Sequence, residues 1–355
     1  MTRICSVIWS ERFYLVPNER TRLRVKVYCF FSVCYTLTFV GLEGFLSKPF
    51  CFGRILRVYQ TTMKRRDFML KKFLAFAAIA ILLLSGCSAN SQVETVVESA
   101  QRPIIIQGPM PIEAENFADR LDKVKVEKSG TFVFYKGKVD NYPVIVVKTG
   151  KGMENTAAAT AIAIEKYDPI AIINQGTSDG HDPSLNVFDI VLGKKVTNIG
   201  SLKTGSLGED EGIDPTNWIP MDLMASEGSA GEDPDAENIR YYEGDKELLA
   251  AAHAVKDKYT KGKIVEGTIG SADVWNNEVD RIKWFHETYG TSVEEMEGAA
   301  AAQIATQYEV PSLVIRILSN NKTNGGQYNP DTAAANQDYV YEVVKQYISQ
   351  INNKK

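Results

Sequence analysis

The chain has 355 residues, of which 44% are hydrophobic and 24% are charged, and it joins two segments of opposite charge. Residues 1–86 contain 14 Lys and Arg against 4 Asp and Glu, whereas residues 87–355 contain 26 against 40, so the formal charges are +10 and −14. All five cysteines lie at or before position 87. These counts exclude a disulfide framework, a cysteine metal site and a globally basic nucleic-acid surface from the acidic segment, so no nucleic-acid partner is expected.

Residues 63–87 have the pattern of a secretory signal peptide that ends in a cysteine. Five Lys and Arg residues between positions 64 and 72 precede an apolar run at 73–84, which Ser85, Gly86 and Cys87 follow. About 12 apolar residues are short for a membrane span, which needs about 20. The ending resembles the lipobox of bacterial lipoproteins, which implies a lipoprotein signal peptide at 63–86 and a lipid on Cys87. A core or membrane helix that happens to end in cysteine is the alternative.

A signal peptide acts from the N-terminus of a chain, so its start at residue 63 predicts that residues 1–62 are translated upstream sequence rather than native protein. Met63 or Met69 is then the true start, and an extra membrane-associating segment is the alternative. The polar residues 87–102 are predicted to tether a folded domain to the lipid. The expected location is therefore extracytoplasmic, with the chain anchored to a bacterial membrane.

From residue 103 onwards, apolar runs typical of buried strands alternate with helical patterns. Residues 131–136 and 142–147, with Asp140 and Asn141 between them, predict an antiparallel hairpin. The alternation indicates one α/β domain over residues 103–355 with a mixed, largely internal sheet. Residues 196–245 are rich in Gly, Asp, Asn, Pro and Ser and predict a partly ordered excursion near a site. The other predicted strands are 104–106, 170–173, 263–269, 292–295 and 312–318, and the predicted helices are 114–121, 157–167, 279–289, 298–308 and 332–351.

Polar clusters follow several of the apolar strands, which is where open α/β sheets place ligand sites. The sequence GPMPIE at 108–113 puts a carboxylate at a helix start, an arrangement that the helix dipole alone would also favour. The sequences TGKGMENT at 149–156 and NQGTSDG at 174–180 predict glycine-rich turns. The first matches neither the phosphate-loop nor the full dinucleotide fingerprint, and the second is like many turns between a strand and a helix. The sequence EEMEG at 294–298 groups three carboxylates around a methionine. A surface helix start explains it simply, and a pocket for sugar hydroxyls explains it functionally.

Four motifs in this order resemble the purine nucleoside phosphorylase/uridine phosphorylase superfamily, and most closely its 5′-methylthioadenosine/S-adenosylhomocysteine nucleosidases. They are GPMPIE, TGKGMENTAAA, INQGTSDG and EEMEGAAAA. The resemblance implies a nucleoside phosphorylase-like fold, in which a single three-layer αβα domain surrounds a mixed central sheet. It also implies a purine nucleoside substrate, a homodimer, and neither a cofactor nor a metal.

The resemblance assigns roles around the sugar. Glu113 takes the place of the family glutamate that activates the attacking water, and Glu297 the place of the glutamate that holds the ribose hydroxyls. Glu295 is the other glutamate of the triplet, and Met296 would pack against the sugar. Carboxylates suit this position because breaking the bond from ribose to base builds positive charge on the sugar.

The resemblance also assigns residues near the nucleophile and the base. Thr177 stands where the family often has serine, at the ribose and nucleophile end. The base-binding loop corresponds to residues 271–275, in which Val274 occupies the position of an aromatic that stacks on the purine. Trp275 is then expected to supply the stacking instead.

Position 320 departs from the family pattern. The family strand ends in an aspartic acid that protonates the purine, whereas this strand reads Arg316 to Asn320. An amide can donate a hydrogen bond to the base but cannot deliver a proton. We therefore expect Asn320 to act at the base, and the substrate choice stays open.

The type of reaction has three candidates. The glycine-rich turns contain no arginine to hold phosphate, although Lys151 is available, so water is favoured over phosphate. A phosphorylase acting on 6-oxopurine nucleosides and a nucleoside-binding lipoprotein without turnover are the alternatives. The histidines at 181, 253 and 286 are dispersed, which argues against a metal site or a Ser-His-Asp site.

Overall fold

The computed structural model describes residues 101–212, 214–224 and 238–354. The predictions for residues 1–62, for the signal peptide at 63–86 and for the lipid on Cys87 lie outside the described residues, as does nearly all of the tether. Across the described ranges, no helix combines the length and the apolar character that a membrane crossing requires.

A ten-stranded mixed sheet forms the centre of the domain, and two pairs of two-residue strands lie beside it. The strand order in the sheet is β11-β6-β12-β13-β5-β1-β4-β3-β2, and β14 pairs with both β5 and β6. The strands are β1 (Ile104–Gly108), β2 (Asp122–Ser129), β3 (Phe132–Val139), β4 (Tyr142–Lys148), β5 (Ala171–Gly180), β6 (Ile190–Asn198), β7 (Leu202–Lys203), β8 (Ile219–Pro220), β9 (Leu223–Met224), β10 (Asn238–Ile239), β11 (Tyr242–Glu243), β12 (Ile264–Ser271), β13 (Thr291–Glu295) and β14 (Ser312–Asn320).

Helices cover both faces of the sheet, which confirms the predicted three-layer α/β fold. Ile104 and Ile106 of β1 share a core cluster with helices on one face, whereas Ile105 points to the other cluster. All five residues of β1 are buried, as expected for a strand covered on both faces. The helices are α1 (Pro111–Ala118), α2 (Met153–Tyr167), α3 (Lys246–Ala254), α4 (Val279–Tyr289), α5 (Gly298–Gln307) and α6 (Thr332–Asn353), of which α1, α3 and α6 lie in the first cluster and α2 and α5 in the second.

Part of the sheet closes on itself. β14 runs parallel to β5 on one side and antiparallel to β6 on the other. β6 also pairs with β12, and β12 pairs with β13. A short antiparallel pairing between β13 and β5 then closes the ring of strands. The ends of β5, β13 and β14 therefore meet in one place. The sequence did not predict this closure.

The predicted hairpin is confirmed. β3 and β4 pair antiparallel, with Val139 opposite Tyr142, and Asp140 and Asn141 form the turn between them. Their φ angles are 48° and 65°, which is the left-handed conformation that tight hairpin turns of this kind require. The strands and helices predicted elsewhere in the domain are present, with boundaries that differ by a few residues.

Three elements were missed, and one prediction was wrong. Residues 174–180 are not a turn, because β5 continues to Gly180 and pairs with β14 along this stretch. β2, β6 and α3 were not predicted. β2 is an edge strand with mostly exposed residues, and its lysines leave it without an apolar run. In β6, Gly193, Lys194 and Lys195 interrupt the apolar pattern.

The predicted excursion at 196–245 contains only short elements in its described part. These are β7 to β11 and a single 3₁₀ turn at Pro215–Asn217. The turn packs beside α4, where the Arg281 guanidinium donates to the Pro215 carbonyl and lies 5.7 Å from the centre of the Trp218 ring. Residues 213 and 225–237 lie outside the described residues.

The packing of α1 can be tested with two substitutions on the same helix. Phe117 is fully buried, and its ring lies 5.3 Å from that of Tyr341 on α6. Phe117→Ala should lower the free energy of unfolding by about 3–5 kcal/mol, because it leaves a cavity. Ile112→Ala is the control, since Ile112 is 49% exposed and its loss should change stability by less than about 0.5 kcal/mol. Chemical denaturation measures both, and equal effects would contradict this packing.

Candidate active site

A pocket with a volume of ≈ 260 Å³ lies where β5, β13 and β14 meet. All eight residues predicted for the site line it. It is more acidic than the eight predicted residues alone imply, because Asp179 and Glu294 line it as well. The lining residues are Pro109, Met110, Glu113, Lys151, Thr177, Ser178, Asp179, Val274, Trp275, Glu294, Glu295, Met296, Glu297, Ser319, Asn320 and Tyr328.

Glu113 lines this pocket, and its two carboxylate oxygens differ in their hydrogen-bond partners. Its Oε1 accepts hydrogen bonds from the backbone N–H and the hydroxyl of Thr177, both at 2.8 Å. Its Oε2 is buried and has no hydrogen-bond partner among the described residues. Burial raises the pKa of Glu113, while the Thr177 hydrogen bonds and the charge of Arg316 oppose that shift. The geometry is that of a carboxylate fixed in position with an oxygen left to accept a proton.

Two amide side chains of α6 fix the helix that carries Glu113. Gln337 accepts from the backbone N–H of Phe117 at 3.0 Å and donates to the Ile112 carbonyl at 2.7 Å. Asn336 donates to the Gln175 side chain at 3.0 Å, and the Gln175 amide donates in turn to the backbone carbonyl of Glu113. These contacts hold α1 against β5, so the position of Glu113 depends on the C-terminal helix.

Glu297 lies at the start of α5, and only part of its carboxylate is engaged. Its Oε1 accepts from the backbone N–H of Gly152 at 3.0 Å, and its Oε2 lies 3.8 Å from Arg316 Nη2. Burial and the negative charge of Glu295 raise the pKa of Glu297. The φ angle of Gly152 is 98°, in the left-handed region, which favours glycine at the position that brings this N–H to Glu297.

Glu295 lines the same pocket, but its oxygens are already bound within the protein. They accept from the backbone N–H groups of Glu297 and Gly298 at 2.9–3.0 Å and from the Ser271 hydroxyl. The Arg316 guanidinium completes the set with a buried ion pair. Glu295 therefore positions the start of α5. The sequence predicts that Glu295 binds substrate. In the structure, few of its acceptor positions are left free for a ligand.

Arg316 connects the site to the core of the sheet. The side chain is fully buried on β14, and it donates to the backbone and side-chain oxygens of Asn174 at 3.1 and 2.6 Å. Asn174 donates to Gln107 on β1, and Gln107 donates to Thr160 on α2. A continuous chain of buried polar groups thus links β14, β5, β1 and α2 behind the pocket.

The predicted base-binding loop is tied to the protein on both sides. Asp273 accepts from the backbone N–H of Met153 at 3.0 Å. Asn276 donates to both oxygens of Glu294, from its backbone at 2.9 Å and from its side chain at 2.5 Å. Between these anchors, Val274 and Trp275 are 51% and 60% exposed, so the Trp275 ring is open to contact a flat ligand.

The lining residues that were not predicted as site residues include Tyr328 and Asp179. Tyr328 follows β14 and lines the pocket with 60% of its surface exposed. Asp179 lies on β5 in a stretch interpreted as a turn, so its strand neighbours were not foreseen. In the structure, residues 176–180 alternate between buried and half-buried along the strand, but their sequence has no apolar alternation that would have indicated it. The three histidines are dispersed, and among the described residues no group of three His, Cys, Asp or Glu side chains is arranged to hold a metal ion.

Comparison with known proteins places the chain in a family. The model of the Phosphorylase superfamily matches residues 103–349, so the chain belongs to this superfamily. A 5′-methylthioadenosine/S-adenosylhomocysteine nucleosidase of Bacillus cytotoxicus is 27% identical over 252 residues, which are 68% of this chain and 98% of that protein.

Solved structures share the fold. A 5′-methylthioadenosine/S-adenosylhomocysteine nucleosidase of Colwellia psychrerythraea, in complex with adenine, is 26% identical with a TM-score of 0.54, and the match covers 69% of this chain and 96% of that one. A futalosine hydrolase of Helicobacter pylori, 20% identical with a TM-score of 0.55 over 70% of this chain and 99% of that one, shares the fold alone.

The buried ion pair makes a direct prediction about stability. Arg316→Met leaves the Glu295 charge buried without its cation, which should lower the free energy of unfolding by about 3–5 kcal/mol. Lys283→Met is the control, because Lys283 pairs with Glu287 on the exposed face of α4, where the loss should stay below about 0.5 kcal/mol. Adding Glu295→Gln to Arg316→Met should recover part of the loss in chemical denaturation. A double variant no more stable than Arg316→Met would contradict the uncompensated charge as the cause.

Proposed function

We propose that this protein is a nucleosidase that hydrolyses the N-glycosidic bond of purine ribosides of the 5′-methylthioadenosine and S-adenosylhomocysteine class, releasing free base and sugar. The observation that carries the proposal is Glu113, which lines the pocket with one oxygen held by Thr177 and the other buried without a hydrogen-bond partner among the described residues. Membership of the Phosphorylase superfamily supports it. Relatives named as nucleosidases, which the matches cover to 98% and 96% of their own length, support it further.

Glu113 acts on the nucleophile. A water beside Oε2 donates a proton to Glu113 while its oxygen attacks the anomeric carbon of the ribose. Burial raises the pKa of this carboxyl, which makes it a stronger base for that transfer. The hydrogen bonds from Thr177 fix the other oxygen, so the free one is aimed before substrate binds.

Glu297 and Met296 serve the sugar. Bond breaking builds positive charge on the ribose, and a carboxylate held beside it stabilises that charge more in the transition state than in the bound substrate. One oxygen of Glu297 accepts a hydrogen bond from the Gly152 N–H, and the carboxylate has acceptor positions left for ribose hydroxyls. Met296 supplies an apolar contact in the same pocket.

The loop at 271–276 serves the base. Trp275 is exposed beside the pocket, and a purine is a flat aromatic ligand that stacks on such a ring. Val274 next to it adds an apolar contact. Asn320 faces the same end of the pocket and can donate a hydrogen bond to a ring nitrogen.

Water rather than phosphate is the proposed nucleophile. Of the described residues that line the pocket, Lys151 alone carries a cationic side chain, and it is exposed at the margin. The Arg316 guanidinium binds Asn174 and Glu295, and Arg316 does not line the pocket. A phosphate dianion would therefore meet several carboxylates and one lysine, which is an unfavourable setting for phosphorolysis.

The location and assembly of the enzyme are further parts of the proposal. The signal pattern at 63–86 supports lipid attachment at Cys87 and an extracytoplasmic position on a bacterial membrane. The family match begins at residue 103, so the preceding segment is additional to the catalytic domain. We also propose a homodimer, on the basis of the resemblance to the nucleosidases of this superfamily.

Product analysis tests the reaction. The protein purified from residue 88 onwards should release base from 5′-methylthioadenosine in buffer free of phosphate, with a free sugar as the second product. Adenosine and inosine serve as comparison substrates. A requirement for phosphate would establish a phosphorylase instead, and tight binding with no product would establish a binding protein.

Glu113 can be tested against a neighbour on the same helix. Glu113→Gln should reduce kcat by about 10²–10⁴-fold, because the amide cannot accept the proton of the water. Glu115→Gln should leave kcat near that of the wild type, since Glu115 binds Lys148 outside the pocket. Steady-state kinetics on the same substrate measure both. A Glu113→Gln variant with wild-type kcat would refute the assigned role.

The anchor is tested in bacterial cells that express the chain from Met63. The wild type should incorporate labelled palmitate and sediment with membranes, whereas Cys87→Ser should do neither, because it lacks the thiol that carries lipid. Ser85→Ala is the control and should behave as the wild type. Membrane-bound, labelled Cys87→Ser protein would contradict attachment at Cys87.

A further inference from the structure

Asp179 occupies the point where the sheet closes at the pocket. On β14 its register partner is Asn320, and on β13 its register partner is Glu294. All three residues line the pocket. Register partners on adjacent strands have neighbouring side chains, so a carboxyl group lies beside Asn320 at the end of the pocket assigned to the base.

The chemistry proposed for this site calls for an acid at that end. When the bond from ribose to purine breaks, the electron pair moves into the ring, and the base departs as an anion unless it takes up a proton. The Ser319 hydroxyl donates to Asn320 Oδ1 at 3.0 Å. The amide N–H groups of Asn320 are therefore on the other side of the amide and available to donate to other groups. Those N–H groups can donate hydrogen bonds but cannot give up a proton near neutral pH.

The surroundings of Asp179 favour a protonated carboxyl. Burial is the largest cause, the charge of Glu294 adds to it, and the neighbouring amide of Asn320 opposes it, so that the pKa of Asp179 rises to about 7. Glu294 is held in place by Asn276 and lies 3.1 Å from the Nε2 atom of the buried His181. The other charged groups that line this pocket are Glu113, Glu295, Glu297 and Lys151.

We propose that Asp179 is the general acid of the reaction and protonates the departing purine in place of a carboxyl group at position 320. The inference rests on the proposed nucleosidase function. In the step itself, the bond between the anomeric carbon and the purine nitrogen breaks, and its electron pair goes to the base. The Asp179 carboxyl gives its proton to a ring nitrogen, and Asn320 orients the base by a hydrogen bond.

Each turnover consumes one water, and the protons gained and lost by the protein are equal. Water adds to the anomeric carbon and loses a proton to Glu113, so each turnover leaves Glu113 protonated and Asp179 ionised. Exchange with solvent returns both groups to their starting states. Free base and free sugar are the products.

Replacement of Asp179 tests this role. Asp179→Asn should lower kcat on 5′-methylthioadenosine by about 10²–10⁴-fold with little change in KM. With 4-nitrophenyl riboside, whose leaving group needs no proton, the same variant should keep the wild-type rate. Asp182→Asn is the control, because Asp182 caps Ser184 outside the pocket and should leave both rates unchanged. A rise in KM at constant kcat would overturn the inference and make Asp179 a recognition residue.

The pH dependence gives an independent readout. With the purine substrate, kcat of the wild type should fall as pH rises through about 7, because Asp179 loses the proton that it must deliver. With 4-nitrophenyl riboside that fall should be missing. Glu294→Gln removes a negative charge beside Asp179 and should move the fall to lower pH. The same fall with both substrates would overturn the inference.

A second substitution tests whether an acid can be restored from the opposite strand. Adding Asn320→Asp to Asp179→Asn returns a carboxyl to the neighbouring position, and kcat on the purine substrate should recover by at least about tenfold. Failure of the double variant to recover, with folding intact by circular dichroism, would count against proton delivery at this position. A wild type without hydrolytic activity would overturn the proposed function and this inference together, whereas full activity of Asp179→Asn overturns this inference alone.

Discussion

A fully buried guanidinium paired with a buried carboxylate is the interaction on which the site depends. Arg316 on β14 binds Glu295 at the end of β13 and Asn174 on β5, so one side chain joins three strands that are distant in the sequence. Such a pair adds little net stability compared with apolar packing, yet removing one partner leaves an uncompensated charge in the interior. The pair therefore fixes the alignment of the strand ends around the pocket.

That alignment divides the carboxylates between structure and chemistry. The oxygens of Glu295 are bound within the protein. Glu113, Glu297 and Asp179 line the pocket with fewer such partners than Glu295, and burial is the largest cause that raises the pKa of each. Acidic groups gathered this way suit a reaction in which positive charge grows on the sugar and a proton moves at each end of the breaking bond. The same grouping is poorly suited to a phosphate dianion.

The sequence predicted the layers of the fold and most of the pocket, because both depend on local patterns. Buried strands appear as apolar runs, and short motifs led to Glu113 and Glu297. The resemblance assigned the ribose hydroxyls to Glu297, but the sequence could not show that Glu295 is held within the protein, because its partners come from distant parts of the chain. Asp179 was missed for a related reason. Its role follows from the pairing of β5 with β13 and β14, a long-range contact that leaves no local pattern.

A crystal structure with a purine nucleoside analogue that resists cleavage would test the central claim most directly, namely that the carboxylates around the pocket are arranged for attack by water. In that structure we expect a water about 2.6–3.2 Å from Glu113 Oε2 and in line with the anomeric carbon. We also expect the ribose hydroxyls on Glu297 and the base between Trp275 and the pair Asp179 and Asn320. A phosphate ion at the position of the water, or a base bound at the Glu113 end, would contradict it.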